Sequence, residues 1–376
     1  MALRAVARVN LAAISRNAAR LLGAVRPGAE LCAVVKADGY GHGAAPVARA
    51  ALAGGATWLA VATAAEAAEL RAAGIEGRVL VMGAISDDEL PVAVAAQAEL
   101  VAWSPRFVDE VARVAAQGGA GPVRIHVKLD TGMGRLGTRV LGDAVEVASL
   151  AASSRAVELA GAMTHFASAD EDPEFTAEQL ARFEPFVQQL RGAWPGIVVH
   201  AANSAAALRE PASHFDLVRC GIAVYGGDPM NVDPFAHGLE PALELSSYVA
   251  AVKRALPGES AGYGRRWVAD VGTWIATVPL GYADGVRRAL SNNCEVLIGG
   301  RRYPVVGTVS MDNITVEVFA EDAVRCGDVV TLIGADGEER VTAEEIARRI
   351  DTINYEIFCG VSARVPRVYH RDGTPV

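Results

Sequence analysis

Lys36 ends the apolar run "LCAVVK" and is followed at once by "ADGYGHG", a glycine-rich turn carrying an aspartate, a tyrosine and a histidine. Lysine is among the residues least often buried unless its amine is paired or chemically employed, as a nucleophile or a base. Taken singly, Lys36 reads as a surface cation at the end of a strand. It is not single. "KLDTGMGRLG" (128–137) closes another apolar run with Lys128 and Arg135, and His165 closes a third. "ANS" (202–204) closes a fourth, and "RCGIAVYG" (219–226) brings Arg219 into a fifth. Each cluster has a bland explanation in a core histidine, a helix cap or a turn. Five polar clusters at the ends of five apolar runs are harder to dismiss.

Those ends need a scaffold. Eight short runs read as buried strands: "LCAVVK", "WLAVAT", "VLVMG", "ELVAW", "VRIHVKLD", "LAGAMTHF", "IVVHAANS" and "LVRCGIAVYG". Between most of them lie alanine-rich stretches of helical period, such as "AAPVARAALAGG" and "TAAEAAELRAAG". Continuous rather than alternating hydrophobicity is what a strand covered on both faces shows. Eight strands each followed by a helix predict an α/β fold, a (β/α)8 TIM-like barrel, whose functional residues sit at the C-terminal strand ends. A doubly wound open sheet is the competing architecture, but no G-x-G-x-x-G follows the first strand. From about residue 228, "GDPMNVDPFAHGLEP" reads as a linker. Beyond it, quickly alternating runs such as "TWIATVPLGY" and "CEVLIGGRRYPVVG", with one helix signal in "TAEEIARRI", predict a mainly-β domain. The expected division is a barrel over 1–235 and a β domain over 236–376.

Composition removes several alternatives. Net charge is −9 with no basic run longer than a pair, which argues against nucleic acid as the main partner. The five cysteines are scattered, without a C-x-x-C pair, and fit reduced thiols rather than a disulfide frame. The histidines lack metal-ligand spacing, so no metal is expected. No window approaches the roughly eighteen apolar residues of a membrane span, and the start carries no signal pattern; a cytoplasmic protein is expected.

The order of motifs resembles the alanine racemases, pyridoxal-phosphate enzymes built from a barrel and a β domain. The resemblance runs through nearly the whole chain, in "AVVKADGYGHG", "HVKLDTGMGRLG", "THFASAD", "HAANSAA", "VRCGIAVYG", "GYG" (262–264), "GYADG" (281–285), "VGTVSMDNITV" and "TINYEI". It implies pyridoxal 5'-phosphate as cofactor, joined to Lys36 as an internal Schiff base. It also implies interconversion of L- and D-alanine through an external aldimine, with D-alanine going to peptidoglycan. Lys36 then serves as one base. Tyr263, which in the family comes from the other subunit, serves as the second on the opposite face, so a homodimer with shared sites is implied.

By the same resemblance Tyr40, Asn203, Ser204, the amides of Gly221 and Ile222, and Tyr355 hold the cofactor and its phosphate. Arg219 faces the pyridine nitrogen, where a guanidinium does not readily give up a proton and leaves the ring a weaker electron sink. His165 orients Arg219 and the second base. Arg135 holds the cofactor phenolate oxygen and the substrate carboxylate, and Lys128 matches a lysine that many members carry as a carbamate. Met311, Asp312 and Tyr282 meet the substrate, and Tyr282, Tyr263 and Tyr355 narrow the entrance, with Asp170 farther out. Three positions depart from the usual pattern: Gly39, Ser310, and the "RRW" after Tyr263-Gly264. The alternatives are a broader serine racemase, a barrel decarboxylase (disfavoured by Arg219) and a non-catalytic pyridoxal-phosphate carrier, for which the β domain would have no use.

Overall fold

The structure is a computed structural model and describes residues 3–118 and 121–376. The chain forms two compact units, one of residues 15–39 and 44–224, the other of residues 1–14, 40–43 and 225–376.

The first unit is a (β/α)8 barrel. Its strands are β1 (Glu30–Val34), β2 (Trp58–Val61), β3 (Arg78–Val81), β4 (Glu99–Ala102), β5 (Val123–Lys128), β6 (Val157–Met163), β7 (Val198–His200) and β8 (Leu217–Cys220). All eight coincide with the expected runs. Neighbours from β1 through to β7 pair in parallel, and β1 pairs with β8. The ring closes where the Asp216 and Arg219 amides donate to the Val199 and Ala202 carbonyls, each at 3.0 Å. Every residue of β2, β4 and β8 is buried, as double-sided cover requires. The surrounding helices bury one stripe each; Pro105–Gly118 buries Val108, Val111, Val114 and Ala115.

The second unit is mainly β, an eleven-stranded sheet with two short helices, Ala343–Arg349 and Asn354–Cys359. The helix over "TAEEIARRI" starts at Thr342, whose hydroxyl accepts the Glu345 amide. Two features differ from the sequence-based expectation. The strand Val6–Asn10 pairs with Leu243–Tyr248 and Arg367–Arg371, so the amino-terminal segment lies in the β unit rather than at the start of a barrel over 1–235. The segment read as a linker is also held firmly. Asp228, fully buried, accepts the amides of Met230 and Val232 on one carboxylate oxygen and pairs with His237 through the other.

Candidate active site

At the C-terminal end of β1 the backbone does something costly. Lys36, half-buried, is followed by five residues in the left-handed region: Ala37, Asp38 and Gly39 at φ 52°, 49° and 61°, then Tyr40 at 52° and Gly41 at 78°. For L-residues this costs about 1–2 kcal/mol each, so the turn needs outside support. Glu66 supplies it. One carboxylate oxygen accepts the Ala37 amide at 2.7 Å; the other takes the amides of Ala62 and Thr63 while Thr63 caps the Glu66 amide. Asp38 in turn caps the Ala44 amide at 2.8 Å. The turn after the lysine is thus locked to the two helices that follow, Ala44–Ala53 and Ala64–Ala72. Glu66 was not read from the sequence as functional, although "TAAE" is a capping-box signature.

Arg219 reaches into the barrel from β8 and is almost fully buried. Its Nη1 meets His200 Nδ1 at 2.9 Å, and its Nη2 donates to the carbonyls of Thr164 and Ala201 and lies 3.2 Å from His165 Nδ1. Its Nε, also buried, has no hydrogen-bond partner among the described residues. A donor left bare in such a place calls for an acceptor from outside the chain. Burial, reinforced by the charges of Arg219, Lys128, Arg135 and Lys36, holds His165 well below the usual imidazole range, so it is neutral and able to accept from Arg219.

Lys128, the last residue of β5, is 4% exposed. Burial first, then Arg219 and Arg135, pull its amine down to about 8, with Asp130 opposing. Arg135 is exposed on the following loop and makes no hydrogen bond to a described residue. Asp130 shapes that loop by accepting the amides of Gly132 and Gly134. At the ends of β7 and β8, Asn203 caps the helix Ser204–Arg209, and Ser204 Oγ accepts the Gly221 amide at 3.0 Å and the Ala223 amide at 3.4 Å. Ser204 and the turn through Gly221 and Ile222 are therefore brought together.

The β unit gathers the remaining residues. Tyr40 and Tyr355 lie 6.0 Å apart by ring centroid, with the fully buried Tyr225 at 4.9 Å from Tyr40. Asn354, next to Tyr355, donates to the Asp228 carbonyl and to Glu344, and so fixes the helix that bears the tyrosine. Tyr282 and Met311 are on interlocked loops: the Tyr282 amide donates to the Ser310 carbonyl and the Ala283 amide to that of Met311. Only glycine fits at 281, where a Cβ would lie 2.4 Å from the Met311 carbonyl oxygen. Arg364 bridges Asp284 and Asp312, and Arg4 pairs with Asp284. Tyr263 is 73% exposed, and its carbonyl accepts the Thr308 hydroxyl.

An amine, a guanidinium with a bare Nε and neutral imidazoles at the C-terminal ends of barrel strands are the arrangement of a barrel enzyme's active site. The sequence matches the alanine racemase N-terminal domain over residues 9–229 and the alanine racemase C-terminal domain over 242–369. It is 44% identical over 374 residues to the alanine racemase of Thermobifida fusca, covering 97% of this chain and 98% of that one. It is 41% identical over 350 residues to the alanine racemase of Halalkalibacterium halodurans, covering 91% and 89%. The solved alanine racemase from Streptomyces lavendulae superposes with a TM-score of 0.93 at 37% identity, covering 98% of each chain. The chain belongs to the alanine racemase family.

Proposed function

We propose that this chain racemises alanine with bound pyridoxal 5'-phosphate, using Lys36 and the partner subunit's Tyr263 as opposed bases. The observation that carries the reading is the buried Arg219 Nε, a donor with no acceptor among the described residues, which suits a ring nitrogen placed against it. Pyridoxal phosphate, when bound, supplies an aldehyde that takes up an amine and a ring that withdraws electrons from the α-carbon. The donor set fits the rest of that group. By the family resemblance Ser204, the Gly221 and Ile222 amides, Tyr40 and Tyr355 would cradle the phosphate without a further cation, the Gly221 amide turning to it from Ser204 Oγ. Asn203 shapes the cradle as the cap of the helix behind it.

Lys36 holds or returns the α-proton on one face, and Tyr263 does so on the other, so that neither has to cross the substrate. His165 holds Arg219 in place, and Arg135, backed by a carbamate on Lys128, binds the substrate carboxylate. Met311, Asp312 and Tyr282 bound the substrate, and Tyr355 and Met311 crowd any side chain beyond a methyl group. In this reading the barrel strand ends supply most of the cofactor's contacts, and the β domain completes the site of a second copy. The exposure of Tyr263, Met311 and Tyr282 (73%, 51% and 44%) supports such sharing. The setting is the cytoplasm, with D-alanine passing to peptidoglycan.

Borohydride reduction of the cofactor-loaded protein followed by mass spectrometry tests the reading. A pyridoxyl adduct on Lys36, with solvent deuterium entering the α-position of both alanine enantiomers, is expected. An adduct on another lysine, or undiminished racemisation by Lys36→Ala, overturns it.

A further inference from the structure

A line of buried polar side chains runs through the barrel interior away from Arg219. His200 Nδ1 faces Arg219 Nη1 at 2.9 Å, and His200 Nε2 faces His126 Nδ1 at 2.8 Å. His126 Nε2 then faces Glu99 Oε2 at 2.9 Å. Both imidazoles are fully buried and Glu99 is 4% exposed. Arg78 grips Glu99 with two hydrogen bonds, at 2.6 and 2.9 Å, and Arg124 stands 3.4 Å away.

The direction of every bond in this line is forced. A guanidinium only donates, so His200 Nδ1 must accept and its hydrogen must be on Nε2. His126 Nδ1 must then accept, and its own hydrogen on Nε2 points at the carboxylate, which only accepts when ionised. Reversing any one bond would set two donors face to face in a dry interior. The charges agree. His126 and His200 are both shifted downward, with burial the largest cause, and so are neutral at pH 7; Glu99 lies at about 2 through its bonds to His126 and Arg78, although burial opposes this.

The backbone makes room for the line. The β5–β6 pairing slips by one residue between Ile125 and His126, which sets His126 opposite Gly161. A Cβ at 161 would lie 2.2 Å from His126 Nδ1, the atom that accepts from His200. Trp58 closes the far side, edge-on to the His126 ring at 5.6 Å.

We propose that Glu99 is a positioning residue for racemisation: as the ionised acceptor at the far end of the line it anchors His126 and His200 and so holds Arg219 as a donor aimed at the cofactor's ring nitrogen. This rests on the placement of Arg219 under Proposed function. Glu99 never touches the ligand; it acts by anchoring the far end of a line whose tautomers Arg219 sets.

The test uses cofactor-loaded protein labelled with 15N-histidine. In the unmodified sequence His126 and His200 are expected as neutral Nε2–H tautomers at pH 7; a doubly protonated or Nδ1–H ring at either position overturns the proposal without any variant. In Glu99→Gln the ionised acceptor becomes a neutral amide while Arg219 still sets both tautomers; the visible absorption of the bound cofactor is expected to shift, and kcat to fall roughly tenfold with KM within about twofold. Arg78→Met removes an ion pair from the same carboxylate but leaves the line intact. It should lower thermal stability while leaving tautomers, spectrum and kcat unchanged. If Glu99→Gln behaves like Arg78→Met, Glu99 is only structural and the proposal fails. Arg219→Gln separates the two claims. A cofactor spectrum insensitive to it removes Arg219 from the ring nitrogen. A spectrum sensitive to Arg219→Gln but not to Glu99→Gln sinks the line alone.

Discussion

Replacing Lys128 by methionine should make the protein more stable and less active at once. The amine is buried beside two guanidinium groups, and its pKa falls from 10.5 to about 8. Below about pH 8 it is charged in both the folded and unfolded chain, and the folded chain bears the whole cost of the buried charge. Between about 8 and 10.5 the folded chain has released its proton and the unfolded chain has not, so stability rises with pH across that window. Above it both are neutral and nothing more is gained. A difference of 10.5 − 8 = 2.5 pH units corresponds to about 3 kcal/mol at 1.36 kcal/mol each. Lys128→Met deletes the charge and keeps most of the volume, so in carbon-dioxide-free buffer at pH 7 it should gain up to about 3 kcal/mol. Bicarbonate should stabilise the parent protein by converting the neutral amine to a carbamate that attracts Arg135, and should leave Lys128→Met unaffected. Thermal midpoints with and without bicarbonate, at pH 7 and 9, measure both effects, and 13C-bicarbonate labelling identifies the carbamate carbon. A Lys128→Met protein less stable than its parent in carbon-dioxide-free buffer at pH 7 would refute the reasoning, because the buried cation would then carry no cost.

Ala37→Gly relieves a left-handed alanine while keeping its amide on Glu66, and should raise stability by about 1 kcal/mol in denaturant unfolding. Glu66→Ala strips the amides of Ala37, Ala62 and Thr63 of their acceptor; a loss of about 2 kcal/mol is expected, with a larger fall in kcat than rise in KM, read from steady-state kinetics. Tyr263→Phe should retain the cofactor's absorption and lose roughly 10²–10⁴-fold in kcat, the usual contribution of one acid–base group, with loss of proton exchange on one face of the α-carbon shown by deuterium incorporation.

The barrel was legible because burial on both faces writes an unbroken apolar run, as in "WLAVAT", and eight such runs allow few architectures. The strand Val6–Asn10 was not, because "VARVN" is short and its partners lie more than two hundred residues away, at Leu243–Tyr248 and Arg367–Arg371. Among site residues, Lys36, Arg219 and Ser204 could be placed by their position at strand ends. Glu99, His126 and His200 could not, since each is one polar letter inside an apolar run and their link exists only across three strands. A signal was present: three such interruptions in runs that a closed barrel must bury demand that the polar groups find one another. The left-handed turn was hidden for another reason. Alanine, aspartate and tyrosine do not announce positive φ, and the support for it comes from Glu66 in the helix after β2.

The barrel centre is a place where cations collect faster than the chain neutralises them. Lys36, Lys128, Arg135 and Arg219 all bear on His165. Of the nearby carboxylates, Glu99 is committed to Arg78 and His126, and Asp130 to Arg139 and the amides of its own loop. Repulsion among like charges in a low-dielectric interior is relieved by three routes: releasing a proton, as Lys128 does in part, modifying the amine, or binding an anion. A ligand that brings a phenolate oxygen and a carboxylate, as proposed for this site, would answer that imbalance. In the proposed reading the charge that opposes folding of the barrel centre would also supply affinity for that ligand, and the costly turn after Lys36 would be tolerated for the same reason: the fold keeps its amine where the anion would be.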